Sequence, residues 1–110
     1  MNEILQNELK KIFNGRFSQS ESTRANYARG EDTYDPVLSQ AVVFPETNEE
    51  VSQILKLCNE NKVPVVPFGT GTSLEGNAVG NDKGITISLE KMNKVLSVNT
   101  EDFDCRVQAC

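Results

Sequence analysis

Residues 64–77 read PVVPFGTGTSLEGN, an apolar, β-branched run and then a loop with three glycines and three hydroxyl side chains. The run predicts a buried strand. Glycine lets the backbone take positive φ and lets a ligand approach the main chain, and successive amide N–H groups in such a turn can converge on an anion. Thr70, Thr72 and Ser73 add hydroxyl donors. The loop favours a diphosphate ligand, and a glycine-rich surface turn between two strands is the alternative.

Two common phosphate-binding motifs do not fit this loop. The dinucleotide fingerprint requires Gly-x-Gly-x-x-Gly, but Leu74 stands at the third glycine position and no helix pattern follows. Gly71 and Gly76 have the spacing of a P-loop, but Asn77 and Ala78 replace the lysine and the hydroxyl residue that contact phosphate and magnesium. Any phosphate bound here is therefore held mainly by uncharged donors.

Composition limits the classes of function that remain. A chain of 110 residues forms one small domain, and its net charge of -5 argues against nucleic acid or an anionic membrane surface as partner. No apolar run is long enough to span a membrane and the N-terminus lacks a signal-peptide core, so we expect a cytoplasmic protein. Cys58, Cys105 and Cys110 have no zinc-site or disulfide spacing. Histidine is absent, which removes the usual general base near neutral pH.

The first half of the chain predicts a βαβ unit. A single apolar stripe predicts a helix over residues 3–13, and the polar residues 16–35 predict a loop that wraps a surface or lines a site. Residues 41–44 predict a short buried strand, and Thr47 with Glu50 has the spacing of a helix capping box. The helix should run to about residue 61, before the strand that opens at residue 64. This order places the glycine loop at the carboxyl end of a parallel strand, where open α/β sheets bind ligands.

Four charged residues of the polar stretch are candidate ligand contacts, although solvated charges are the simpler interpretation: Arg24, Arg29, Asp32 and Asp35. After the loop, residues 84–89 alternate as a strand, and residues 95–98 and 103–109 predict an antiparallel hairpin. The alternation continues to the last residue, which is typical of an incomplete domain.

Three segments carry a resemblance to a known family: VVFP at 42–45, TNEEV at 47–51 and VPVVPFGTGTSLEG at 63–76. They resemble the start of the FAD-binding domain of the vanillyl-alcohol oxidase and p-cresol methylhydroxylase family. The match is closest to its FAD-dependent D-lactate dehydrogenase and glycolate oxidase branch, which residues 89–96 and 100–103 also fit. The resemblance covers the chain from about residue 30 to its end.

The resemblance implies an α+β fold, a small FAD-binding subdomain with a βαβ unit, parallel strands and a C-terminal antiparallel hairpin. Residues 1–37 would form an N-terminal helix and a wrapping loop, and residues 38–110 a truncated first subdomain. It assigns the FAD diphosphate to these residues, the first and last flanking the loop: Pro67, Gly69, Thr70, Gly71, Thr72, Ser73, Gly76 and Asn77. Relatives often have histidine or glycine where Asn77 stands, and Glu-Pro-Gly where this chain has residues 108–110.

The implied function is to anchor FAD in a D-2-hydroxyacid dehydrogenase that oxidises D-lactate or glycolate and passes electrons to an acceptor. The parent protein could associate peripherally with the inner face of a membrane. The chain alone is expected to be inactive, because the family's substrate-binding and metal-binding residues lie in other parts of the enzyme. Two alternatives stay open: a stand-alone nucleotide- or phosphate-binding module, and a non-catalytic fragment that binds nothing.

Overall fold

The computed structural model describes residues 3–28, 35, 37–71 and 79–109. Its helices are α1 (Glu3–Ile12), α2 (Glu21–Asn26) and α3 (Asn48–Glu60). Its strands are β1 (Phe17–Ser18), β2 (Ala41–Val43), β3 (Val65–Phe68), β4 (Ile85–Ser88), β5 (Val95–Asn99) and β6 (Asp104–Val107). This mixture of helices, a largely parallel sheet and a separate hairpin confirms the α+β class.

The main sheet has the strand order β1-β2-β4-β3. The strands β2, β4 and β3 are mutually parallel, and β1 adds an antiparallel edge. The predicted unit β2-α3-β3 therefore exists, but β4 enters between its two strands, because β4 pairs with both of them. All four residues of β4 are buried.

The position of β3 corrects one expectation. Its apolar run predicts a buried strand, yet β3 is an edge strand in which Val65 and Val66 are half-buried and Pro67 is exposed. Proline has no N–H to donate to a ladder, so an edge is the place in a sheet that tolerates it. The buried interior strands are β2 and β4 instead.

One face of the sheet is covered by α1 and α3. The helix α1 contributes Leu5 and Leu9, and Phe13 follows its last residue; the three recur at the spacing of one helical face and are fully buried. From α3 the core receives Ile54 and Cys58. The predicted helices and the core position of Cys58 are thus confirmed.

The start of α3 is fixed by a cap and an ion pair. Thr47 Oγ1 accepts a hydrogen bond from the Glu50 amide at 3.2 Å, as the capping-box spacing predicts. The Glu50 carboxylate accepts from both terminal nitrogens of Arg16, at 2.8 and 2.6 Å, and from the Glu46 amide. Because Arg16 directly precedes β1, this bidentate pair ties the edge strand to the helix.

Residues 16–28, the described first part of the polar stretch, are more ordered than a wrapping loop. They contain β1 and α2, and Ser20 caps α2 by accepting a hydrogen bond from the Thr23 amide at 3.2 Å. The expectation of a structureless stretch was wrong there, because a two-residue strand and a six-residue helix give no periodic signal of their own.

The strands β5 and β6 form the predicted antiparallel hairpin, with a register shift between Val95 and Ser97. Phe103 belongs to the turn at φ 57° and is 96% exposed, so the expected alternation begins one residue later than predicted. Partners in the ladder share a face, and one face of this hairpin carries only apolar side chains and a thiol. They are Val95, Val98, Cys105 and Val107.

Candidate FAD-diphosphate site

The glycine turn leaves the carboxyl end of β3. Gly69, Thr70 and Gly71 follow Phe68 directly, and the Phe68 carbonyl accepts a hydrogen bond from the Leu89 amide at 3.0 Å. Because β2, β4 and β3 run parallel, the residues after each of them meet at this edge of the sheet. The structure therefore places the first residues of the turn, Gly69–Gly71, where the sequence predicts them.

Gly71 is held in a conformation and a space that only glycine suits. Its φ is 75°, in the left-handed region. A Cβ built on Gly71 would lie 2.5 Å from Phe68 Cζ and 3.0 Å from Phe68 Cε1. The turn thus folds back over the Phe68 ring so closely that the ring occupies the space a side chain would need.

A cluster of three aromatic rings packs against the start of the turn. The Tyr27 ring meets Phe68 edge-on, with centroids 5.0 Å apart, and Phe44 edge-on at 5.5 Å. Phe68 is only 7% exposed. Since Phe44 follows β2 and Phe68 ends β3, Tyr27 joins the ends of two strands with the edge-to-face geometry that aromatic pairs favour.

The hydroxyl of Tyr27 reaches the end of the third parallel strand. It donates to Glu90 Oε1 at 2.6 Å, two residues beyond β4. Burial, and then the hydrogen bond to Glu90, raises the pKa of Tyr27 to about 12. The phenol therefore stays protonated near neutral pH and acts as a hydrogen-bond donor. Beside it, the Lys91 ammonium lies 5.9 Å from the Phe44 ring centroid.

The structure describes four of the eight predicted site residues. Pro67, Gly69, Thr70 and Gly71 lie together at the end of β3. The other four lie outside the described residues: Thr72, Ser73, Gly76 and Asn77.

The four charged candidates do not form a group in the described part of the chain. Arg24 donates from Nε to the Gln19 carbonyl at 3.1 Å, and Asp35 is exposed. Arg29 and Asp32 lie outside the described residues.

The sequence reasoning missed the role of Tyr27 and Phe44. Tyr27 is one of few large apolar groups in a polar stretch, which is a signal that it packs somewhere, but nothing local shows its partners. Phe44 reads only as the end of a buried strand. Their meeting depends on the packing of α2 against β2, which is not encoded within either segment.

Within the described residues the site offers no metal cluster and no reactive thiol. No group of three or more His, Cys, Asp or Glu side chains is placed to hold a metal there. Burial raises the pKa of the Cys58 thiol to about 11, so this cysteine is an inert core residue. Among the described helices, none combines the length and the apolar character that crossing a membrane requires.

The turn fits a diphosphate by the chemistry of its donors. The side-chain direction of Gly71 faces the Phe68 ring, and the amides of a glycine-rich turn can bind phosphate without a lysine. An anion held this way is compatible with the net charge of -5, since each hydrogen bond to a charged acceptor contributes roughly 1.5–3 kcal/mol.

Comparison with known proteins identifies the same region. Residues 39–110 match a family model described as an FAD binding domain. The chain is 38% identical over 91 residues to a Danio rerio protein named "Probable D-lactate dehydrogenase, mitochondrial", covering 83% of this chain and 18% of that protein. It is 32% identical over 92 residues to glycolate oxidase subunit GlcD of Bacillus subtilis, covering 84% and 20%. The chain thus spans about a fifth of the length of these relatives.

Solved structures show the same fold. An alkyldihydroxyacetonephosphate synthase superposes with a TM-score of 0.87 at 22% identity, covering 98% of this chain and 24% of that one. A p-cresol methylhydroxylase superposes with a TM-score of 0.70 at 21% identity, covering 92% and 21%. At these identities the likeness concerns the fold alone.

Proposed function

The chain belongs to the family of FAD-binding domains, as the resemblance implies, and from this premise we propose that its glycine turn holds the FAD diphosphate. The proposed contacts are the predicted ones: Pro67, Gly69, Thr70, Gly71, Thr72, Ser73, Gly76 and Asn77. The observation that carries the proposal is the backbone of Gly71, which lies at positive φ on the Phe68 ring at the carboxyl end of a parallel strand.

We propose further that this chain is the cofactor-anchoring part of an FAD-dependent D-2-hydroxyacid dehydrogenase. Its relatives include a D-lactate dehydrogenase and a glycolate oxidase subunit, which supports D-lactate or glycolate as the substrate of the parent protein. The chemistry that bound FAD supplies is acceptance of a hydride from the substrate α-carbon and transfer of electrons to an acceptor. The residues of this chain bind and orient the cofactor and take no part in proton transfer.

The proposed domain division places the FAD-binding subdomain in residues 38–110 and the N-terminal helix with its following segment in residues 1–37. The family model begins at residue 39, which supports that boundary. The first part is packed into the same core, since Leu5, Leu9 and Phe13 contact residues of α3 and the sheet. We place the parent protein in the cytoplasm or at the inner face of a membrane, and the free thiols of Cys58 and Cys105 support a reducing compartment.

The test is equilibrium dialysis of the 110-residue chain against FAD, ADP and inorganic diphosphate. FAD should bind more tightly than either smaller anion, and D-lactate with an artificial electron acceptor should give no turnover. Equal binding of all three compounds would instead indicate a general phosphate-binding module. Absence of binding by any of them would leave a structural fragment and overturn the proposal.

A further inference from the structure

The two residues that follow α2 contact both ends of the segment that contains the glycine turn. At the entry, the Tyr27 ring packs on Phe68, and the Phe68 ring lies against Gly71. At the exit, the Ala28 carbonyl accepts a hydrogen bond from the Gly80 amide at 2.9 Å. The segment from Gly69 to Gly80 therefore begins and ends on neighbouring residues of one short piece of chain.

Both contacts are anchored in the body of the domain. Ala28 is fully buried. Beyond Gly80, the Asn81 amide donates to Ser39 Oγ at 3.1 Å, and Ser39 Oγ lies 2.7 Å from Thr86 Oγ1 of the central strand β4. The exit of the segment is thus connected through a buried hydroxyl pair to the middle of the sheet.

Tyr27 is anchored independently of Ala28. Its ring packs against Phe44 as well as Phe68, and its hydroxyl donates to Glu90 at 2.6 Å. These three partners follow or end β2, β3 and β4. Because the strands are parallel neighbours in one sheet, the ring of Tyr27 has a position fixed from three directions.

We propose that Tyr27 and Ala28 are positioning residues for the FAD-binding turn: the Tyr27 ring fixes its entry through Phe68, and the Ala28 carbonyl fixes its exit through Gly80. The inference rests on the proposed function. The described ends of the turn, Gly69–Gly71 and Gly80, are thereby held in place before a diphosphate binds, so ordering these residues on binding costs less free energy. The segment before β2 then contributes to cofactor binding without touching the cofactor.

Two variants of the 110-residue chain separate the ring of Tyr27 from its hydroxyl. Tyr27→Ala removes both aromatic contacts, and we expect FAD to bind roughly tenfold more weakly. Tyr27→Phe keeps the ring and loses only the hydrogen bond to Glu90, so the loss should be roughly threefold. Backbone hydrogen exchange at Gly69, Gly71 and Gly80 should accelerate in the same order.

Two control variants remove side chains elsewhere. Phe103→Ala deletes an aromatic ring that is 96% exposed in the hairpin turn, and should leave FAD affinity unchanged. Cys58→Ala deletes a buried group of α3 away from the turn. It should lower the melting temperature without accelerating exchange at the three glycines.

The outcomes distinguish the inference from the proposed function. If the wild-type chain does not bind FAD, the proposed function fails, while the exchange rates still decide whether Tyr27 fixes the turn. If Tyr27→Ala exchanges at the three glycines like the wild type, the inference is wrong. It is also wrong if Tyr27→Ala and Cys58→Ala lose FAD affinity in proportion to their loss of stability, since Tyr27 would then be an ordinary structural residue.

Discussion

The substitution Gly71→Ala tests the geometry of the turn most directly. The added methyl group would lie 2.5 Å from Phe68 Cζ, 3.0 Å from Cε1 and 3.4 Å from Cε2. Only the last of these is as long as an ordinary contact between carbon atoms. The backbone would also hold an L-residue at φ 75°. Both effects oppose the conformation that presents the amides of the turn.

The expected cost has two parts. A non-glycine residue in the left-handed region costs roughly 1–2 kcal/mol. Overlap with the ring adds roughly 1–3 kcal/mol, as overpacking does in cores, because Phe68 cannot swing away from the Tyr27 ring 5.0 Å from its centroid. The smallest sum, about 2 kcal/mol, corresponds to a roughly 30-fold loss of FAD affinity if the native turn is required for binding.

Gly15→Ala is the matched control for this prediction. Gly15 also has a positive φ, of 82°, but a Cβ there would meet nothing within 4 Å. It should therefore lose roughly 1–2 kcal/mol of folding stability for the backbone alone and keep its FAD affinity. Thermal melting and equilibrium dialysis of both variants measure the two quantities. Normal FAD binding by Gly71→Ala, or an equal loss in Gly15→Ala, would refute the role given to the turn.

Four other predictions concern the pair at α3, the cap, the hairpin and the charge of the site. The pKa of Glu50 is lowered from 4.5 to about 2, mainly by its hydrogen bond from Arg16. The ionised Glu50 therefore contributes its full share to folding stability above pH 4.5, and this contribution is lost as the pH falls towards 2. After allowance for solvent screening this amounts to about 1–2 kcal/mol in acid denaturation curves, and Glu50→Gln should flatten the dependence; identical curves would contradict it. Thr47→Ala removes the helix cap and should cost about 1 kcal/mol in urea denaturation, and a change near zero would show that the cap contributes little. Val98→Thr, at a side chain 66% exposed on the apolar face of the hairpin, should reduce hydrophobic dye binding while altering stability by under about 0.5 kcal/mol; unchanged dye binding would mean that this face is covered in solution. FAD affinity should hold or rise with added salt, because screening weakens repulsion by the net charge of -5, whereas a steep fall would indicate binding by lysine.

The parts of the fold that follow from local signals were predictable. The apolar stripe of α1 and the capping box of α3 each lie within one segment, and both are present in the structure. The hairpin was predictable for the same reason, since its two alternating runs flank one turn. Phe103 was misplaced because alternation does not reveal where a turn ends.

The arrangement of the strands and the support of the turn were not predictable in the same way. Strands β2 and β3 are joined by α3, yet β4 lies between them, and no local pattern records which strands pair. Tyr27 and Glu90 are 63 residues apart in sequence. A tyrosine in a polar segment and a glutamate after a strand have no common signature, so only the folded sheet brings them together.

On the proposed function, the aromatic cluster accounts for how an acidic domain would hold an acidic ligand with neutral groups. A lysine-based site attracts phosphate over a distance and can remain flexible, because the charge does most of the attracting. Amide donors act only over hydrogen-bond distances, so they must already point at the anion before it arrives. The packing of Phe68 against Gly71 and against Tyr27 supplies the rigid support that such donors need at the entry of the turn. On the proposed function, the rigidity of this hydrophobic cluster takes the place that positive charge has in other phosphate sites.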